Sequence, residues 1–373
     1  MRKEIAMKKR KNRRPYTVIG GYYGFGSIGD EAVLYSILSA LEKNMPESTV
    51  CVLTNAPESL PTFNGITVTG AKRSSPLAVL KAFLKADLYI SGGGSLLQDS
   101  TSHRSLCYYC ALILLARLCG AKVCILANGI GPLKDKKRCA LALRLADTVS
   151  VRDPDSLELL RTLCPEKASV HLSADPIFAY PFSDEIKKRN GRYFAVSQRN
   201  CEGDEKIDEA LLATVVLYYK NQGLEPVFVS MQDSYDLSIS RRLCAMTGGT
   251  MAEIGSADEL FALLSGAEFA IGMRLHFLLT AAMANIPTVA LSYDCKVESC
   301  MKYLGYGEVI NAFDFCARQA ILAIEKAKKS CDRERIRSRV LSLKELFEKE
   351  LERALSGFFE EKLSGDEKFF ADT

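Results

Sequence analysis

GAEFAIGMRLHFLLTAAMANIPTVALSYD, residues 266–294, reads as strand, helix, strand. GAEFAIG is short and apolar, HFLLTAAMAN is an almost wholly apolar helical run, and PTVALSYD is apolar again. Two buried strands joined by a helix make a parallel crossover unit, and such units belong to α/β architectures. Arg274 and His276 fall where the first strand ends and the helix begins. In open parallel sheets this edge, outside the carboxyl ends of the strands, is where ligands bind. The free amides and positive dipole of a helix start also favour anions there. A lone histidine beside an apolar helix is more often a core or capping residue, so the pair gains meaning only from its company elsewhere in the chain.

The same alternation runs outward in both directions. TVIGGY, STVCVLTN, ADLYISGG, KVCILANG and DTVSVRD form one series of strand-like runs, and RYFAVSQ, EPVFVSMQ, AEFAIGM and PTVALSY form a second. Helical stretches such as DEAVLYSILSALEKN, SLCYYCALILLARLCG and SADELFALLSGA lie between them. A length of 373 residues suits two domains. The break at PIFAYPFSDEIKKRNGR sets the boundary. The expected plan is a basic tail over 1–16, an N-terminal Rossmann-like domain over 17–182, a C-terminal one over 190–330, and a charged helical segment over 331–373. The expected fold class is therefore α/β, two Rossmann-like domains facing across a cleft in a GT-B-like manner, with C-terminal helices; this analogy names no substrate.

Composition excludes several classes. Hydrophobic residues at 48% and charged residues at 25% describe an ordinary globular chain. No apolar run reaches membrane-spanning length. The net charge of +4 conceals a tail, MRKEIAMKKRKNRRP, with eight Lys or Arg against one Glu. The tail reads as solvated, or as attracted to anionic headgroups at the inner membrane face; no signal-peptide core follows it. Thirteen cysteines without a repeated CxxC framework indicate reduced thiols in a cytoplasmic protein. Cys107 and Cys110 lack a second ligand pair for zinc, so no metal is expected.

Nearly all the unusual residues follow a strand: GFGSIGDEA, GGGSLLQD, NGIGP, VRD, SMQD, GMRLH and YDCKV. GFGSIG matches a dinucleotide fingerprint, but the second strand ends in Asn55 rather than the acidic residue that would hold a ribose, which argues against NAD. Gly26 and Asp30 remain available to phosphate or acceptor hydroxyls, with Asp30 equally suited to the helix dipole. SGGGSLLQDSTSHRSLCYYC has the composition of a neutral-sugar site or of a helix N-terminal loop capped by Asp99 or Ser100. Arg152 is either a structural partner of Asp153 or Asp155, or one of three cations, with Arg274 and Lys296, for a small multiply charged anion. His276 is the group able to move a proton near neutral pH.

Assembled in this order, the motifs resemble the polysaccharide pyruvyl transferase family, and within it the CsaB-like branch, over residues 18 to about 300. GMRLH with the downstream lysine, GGGSLLQD and SVRD carry most of the likeness. The resemblance implies phosphoenolpyruvate as donor, no cofactor, and transfer of its pyruvyl group to two hydroxyls of an N-acetylmannosamine-type sugar. The product is a cyclic ketal and the released group is phosphate. It implies a lipid-linked cell-wall precursor as acceptor, whose polymer anchors surface-layer proteins, and a cytoplasmic enzyme peripheral to the membrane, with no nucleic-acid partner. Arg152 and the triplet Arg274, Leu275 and His276 stand at its donor-binding positions, and His276 and Lys296 at its catalytic ones. Gly26, Asp30, Gly93, Gln98, Asp99 and Arg104 are the expected acceptor residues of the N-terminal side. Cys295 replaces a proline of the pattern beside Lys296. Two other readings are a nucleotide-sugar GT-B enzyme using Glu259 for the ribose, and a non-catalytic sugar-binding protein of the envelope.

Overall fold

The computed structural model describes residues 14–100, 102–167, 169–183, 189–200 and 208–370. Most of the basic tail, residues 1–13, lies outside them. The chain divides into two compact units. Unit one contains the chain up to Phe25, Val33–Ala179 and the chain from Lys344; unit two contains Gly26–Ala32 and Tyr180–Leu343. The division at Ala179 falls three residues before the expected end of the first domain, at residue 182. The C-terminal segment is one helix, Arg333–Phe370, shared between the two units rather than a unit by itself.

Unit one is built on a seven-stranded sheet, ordered β3-β2-β1-β4-β5-β6-β7. Its strands are β1 (Tyr16–Gly20), β2 (Thr49–Thr54), β3 (Thr67–Lys72), β4 (Leu88–Gly92), β5 (Lys122–Asn128), β6 (Thr148–Val151) and β7 (Val170–Leu172). Every neighbouring pair is parallel. Its helices are α1 (Ile28–Asn44), of which the part from Val33 belongs to this unit, α2 (Pro76–Lys85), α3 (His103–Leu118), α4 (Lys136–Leu145) and α5 (Pro154–Leu163). Local chemistry starts them cleanly: Ser75, Ser102, Asp135 and Asp153 each accept a first-turn amide. Pro76 and Pro154 occupy first-turn positions where no amide donor is needed. The cap of α3 is Ser102, not Asp99 or Ser100. One face of the sheet is covered by the apolar sides of α2 to α5, with Phe83, Leu106, Ile113, Leu143 and Leu160 at its centre.

Unit two has a six-stranded parallel sheet, ordered β10-β9-β8-β11-β12-β13. Its strands are β8 (Tyr193–Ser197), β9 (Glu225–Phe228), β10 (Thr250–Met251), β11 (Ala270–Gly272), β12 (Thr288–Ser292) and β13 (Glu308–Asn311). Its helices are α6 (Glu209–Lys220), α7 (Asp233–Thr247), α8 (Ala257–Gly266), α9 (Leu275–Met283), α10 (Cys295–Leu304) and α11 (Ala317–Lys329), before the long α12 (Arg333–Phe370). The strand order reverses beside β1 in one sheet and beside β8 in the other, the switch points where doubly wound sheets bind ligands. Burial pushes the Cys124 thiol up to about 11 and the Cys110 thiol up to about 12, which leaves both protonated and unreactive at neutral pH.

Candidate active site

Unit two brings together the residues that follow β8, β9, β11 and β12. The chain leaves β11 at Gly272, where a Cβ would lie 2.8 Å from the Phe277 ring and 2.9 Å from the Ser197 carbonyl; only glycine fits. Arg274 then stands at the N-cap of α9 without capping it. Its guanidinium grips Asp236, with Nη2 to Oδ1 at 2.6 Å and Nε to Oδ2 at 3.0 Å. Asp236 is fully buried in α7 and also accepts the Met231 and Gln232 amides. Burial pushes its carboxyl above the ordinary carboxylate value, against the opposing pull of Arg274 and the two amides. The pair fixes the direction of the arginine fork.

His276 sits in the first turn of α9, its carbonyl held by the Thr280 hydroxyl at 2.7 Å. Gly29, from the Gly26–Ala32 segment of the same unit, lies against its ring: a Cβ there would be 2.2 Å from Nδ1. The Ile28 amide donates to the Met231 carbonyl at 3.0 Å. Gly26 and Asp30, expected on the acceptor side, thus belong to the unit of His276. Gly26 is exposed with φ of 69°, and Asp30 accepts from the Ser27 hydroxyl. Lys296 is in the first turn of α10, 3.7 Å from Asp294, which caps that helix through the Lys296 amide. Two residues after β8, Arg199 donates to the Tyr293 hydroxyl at 2.8 Å and lies over its ring. The Gln198 side chain is fully buried, and neither its amide nitrogen nor its oxygen has a hydrogen-bond partner among the described residues; the same holds for the Ser230 hydroxyl.

Unit one holds a different set. Arg152 is 4% exposed, ion-paired to Asp175 at 2.7 Å and bonded to the Ser95 hydroxyl at 2.8 Å. It pairs with the aspartate of SADPIF at 2.7 Å and, more loosely, with the expected Asp153 at 4.0 Å, which also caps α5. A Cβ on Gly129 would press on Ser95 and Arg152, so the glycine of NGIGP makes room for that contact. Arg152 therefore ties the loops after β4, β6 and β7 together within unit one, while Arg274, Lys296 and Arg199 are in unit two. Gly93 has φ of 60°, and a Cβ there would be 2.2 Å from Val33. Gln98 accepts from Ser100, and Arg104 is exposed on α3. Both oxygens of Asp99 accept backbone amides, of Lys134 and Asp135, at 2.8 Å. Burial opposes its charge, but those amides together with His103 and Lys134 outweigh it and hold the carboxyl below the usual range. Replacing it, Asp99→Asn, removes charge-assisted bonds and should lower stability at neutral pH by about 1–3 kcal/mol. Because the folded value is depressed, that difference should be present above the ordinary carboxylate range and vanish as pH falls through the folded value. Urea titrations of both proteins across that range measure it.

The same edge of unit one carries aromatic surface. Tyr22 and Phe25 stack with ring centroids 4.1 Å apart. Arg73 lies over Phe25 at 4.9 Å and over Tyr108 at 4.5 Å, and donates to the Gly21 carbonyl at 3.0 Å. This half-exposed stack suits a sugar face.

The profile of the polysaccharide pyruvyl transferase family matches residues 28–294. The chain belongs to that family. No curated protein matches it. Solved structures similar to this pyruvyl transferase include UDP-N-acetylglucosamine 2-epimerase from Rickettsia bellii, with a TM-score of 0.61 at 10% identity over 92% of this chain and 96% of that one. The Neisseria meningitidis UDP-GlcNAc 2-epimerase bound to UDP-GlcNAc gives 0.59 at 11% identity over 91% and 100%. A ugt transferase from Siraitia grosvenorii in complex with UDP gives 0.55 at 11% over 92% and 99%. At such identities these establish the α/β fold of two parallel sheets shared with GT-B proteins, and not their substrates.

Several residues of the pyruvyl transferase escaped the sequence reading. Arg199 and Gln198 follow a strand, as the other unusual residues do, and that rule applied to RYFAVSQRN would have found them. Asp236 has no local signal, because its partner is 38 positions away. Glu259 closes a capping box on α8, accepting the Gly255 amide at 2.7 Å while Ser256 accepts the Glu259 amide, which accounts for its carboxylate without a ribose. The closeness of Gly29 to His276 yields an expected result: Gly29→Ala forces the imidazole to move and should reduce turnover about 10²-fold, with little change in melting temperature.

Proposed function

We propose that this pyruvyl transferase takes phosphoenolpyruvate as donor and builds a cyclic pyruvyl ketal on an N-acetylmannosamine-type sugar, in the manner of the CsaB-like branch. The observation that carries the reading is the placement of Arg199, of Arg274 with His276, and of Lys296 directly after three adjacent strands, β8, β11 and β12, at the carboxyl edge of the second sheet. A neutral sugar needs no such concentration of cations. A compact trianion with a carboxylate and a phosphate does, and arginine forks match both groups.

In this mechanism Arg274, aimed by Asp236, pairs with a donor anion, and Lys296 and Arg199 offset the rest of its charge. His276, protonated, delivers its proton to the methylene carbon of the enol phosphate, so the adjacent carbon becomes oxocarbenium-like. An acceptor hydroxyl adds there and loses its proton to a base; His276, now neutral, is the candidate. Phosphate departs with the bridging oxygen and the electron pair of its C–O bond, taking the proton that His276 has regained, and the second hydroxyl adds to the same carbon and gives its proton to His276, closing the ketal. Arg152 is the family-like donor position in unit one; its ion pair with Asp175 suits it to support the Ser95 loop as well. The Tyr22, Phe25 and Tyr108 surface suits the acceptor sugar, as does the polar loop of Gly93, Gln98 and Asp99 of the same unit. The enzyme would act in the cytoplasm, where phosphoenolpyruvate is made, on a lipid-linked precursor of the cell wall.

The test is phosphate release from phosphoenolpyruvate with an N-acetylmannosaminyl-N-acetylglucosamine lipid analogue, with the product weighed by mass spectrometry. Acceptor-dependent release with the mass gain of a pyruvyl ketal is expected. Turnover of a UDP-sugar in place of phosphoenolpyruvate would refute the reading.

A further inference from the structure

The helices α2, α3 and α4 stand side by side on one face of the first sheet, their apolar sides sunk in a common core. Their outer sides are unusual for a water-soluble surface. Leu77, Leu80 and Leu84 line the outside of α2 at helical spacing, Leu114 and Leu118 the outside of α3, and Leu141 that of α4. Leu118 is 75% exposed, Leu77 62% and Leu84 60%. The three helices also contain eight Lys or Arg and not one Asp or Glu. Arg117 and Arg144 find acidic partners on other segments, and Arg138 pairs with Asp135, the N-cap of α4. Lys81, Lys85, Lys136 and Lys137 are exposed alongside the leucines.

We infer that this face, the outer side of α2, α3 and α4, docks on a bilayer surface containing anionic phospholipid. Exposed leucines in a stripe between lysines are the composition of an interfacial helix, where leucine enters the acyl boundary and lysine meets headgroup phosphate. A docking protein or a second copy of this chain fits less well, because lysine is depleted in protein interface cores. An isolated exposed leucine needs no explanation, but six on adjoining helices with charge of one sign do. The site rests on the proposed function only for its use: the loop of Gly93 to Asp99 leads into α3, so a lipid-borne sugar would meet the acceptor residues from the membrane. Binding itself needs no turnover.

Full-length protein is mixed with vesicles of phosphatidylcholine alone or with phosphatidylglycerol added, and bound protein is separated by flotation. Binding to the anionic vesicles is expected, reduced roughly ten-fold or more by Leu77→Ser/Leu84→Ser/Leu118→Ser, and reduced at low salt by Lys81→Glu/Lys85→Glu. These side chains point outward, so unchanged melting curves confirm that the variants fold. A third variant, with Lys8, Lys9, Arg10 and Lys11 changed to Gln, separates the tail from the helices and should keep the leucine-dependent part. Binding insensitive to the leucines, binding abolished by the tail change alone, or no binding to anionic vesicles overturns the inference. So does a dimer in light scattering that the triple serine variant reduces to a monomer, which assigns the face to a second copy. A protein inactive on phosphoenolpyruvate that still binds vesicles through α2 and α3 would sink the proposed function and leave the docking face standing.

Discussion

His276→Ala should leave the pyruvyl transferase folded and able to hold its donor, but lower kcat by about 10²–10⁴-fold, the usual contribution of a positioned proton donor. The expectation follows from position: the side chain lies in the first turn of α9, packed on Gly29, with Arg274 two residues before it already committed to Asp236. Arg274, Lys296 and Arg199 remain, so KM for phosphoenolpyruvate should move by less than about three-fold, the pattern of a group that acts in the transition state. Steady-state kinetics at fixed acceptor concentration separate the two constants. A loss confined to KM would make His276 a binding residue and reassign the proton to another group.

Asp236→Ala should be strongly destabilising. The carboxylate is fully buried and answers one guanidinium and two amides; removing it strands a largely buried cation, at a cost of about 3–5 kcal/mol. Arg274, released from its fork, should also lose its aim, and KM for phosphoenolpyruvate should rise about ten-fold or more in protein that still folds. Chemical denaturation measures the first effect and kinetics below the transition measure the second. If Arg274→Lys matches wild type in both, the bidentate geometry is not what matters. Asp236→Asn keeps the shape and some of the hydrogen bonding, and should fall between the two.

Nine of the thirteen strands among the described residues are legible in the sequence, and the four that are not, β3, β7, β10 and β13, are the edges of the two sheets. Central strands such as β4 and β8 are buried on both faces and therefore read as continuous apolar runs. An edge strand pairs on one side only and keeps much of its surface in water, so Thr67–Lys72 and Glu308–Asn311 carry polar residues that read as loop. The division of the cations follows the same logic. Arg152, Arg274 and Lys296 each follow a strand, and that much is local; that Arg152 is buried against Asp175 in one unit while Arg274 is held by Asp236 in the other is not.

Periodicity and the residues after each strand were enough to establish the α/β class, the two sheets, the strand-to-helix turns and the placement of His276, because each depends on neighbours within a few positions along the chain. Which carboxylate orients which arginine, why Gly29 must lack a side chain, and which leucines remain in water were decided by the tertiary structure alone. Those facts depend on contacts between residues tens to hundreds of positions apart, brought together only when both sheets are complete.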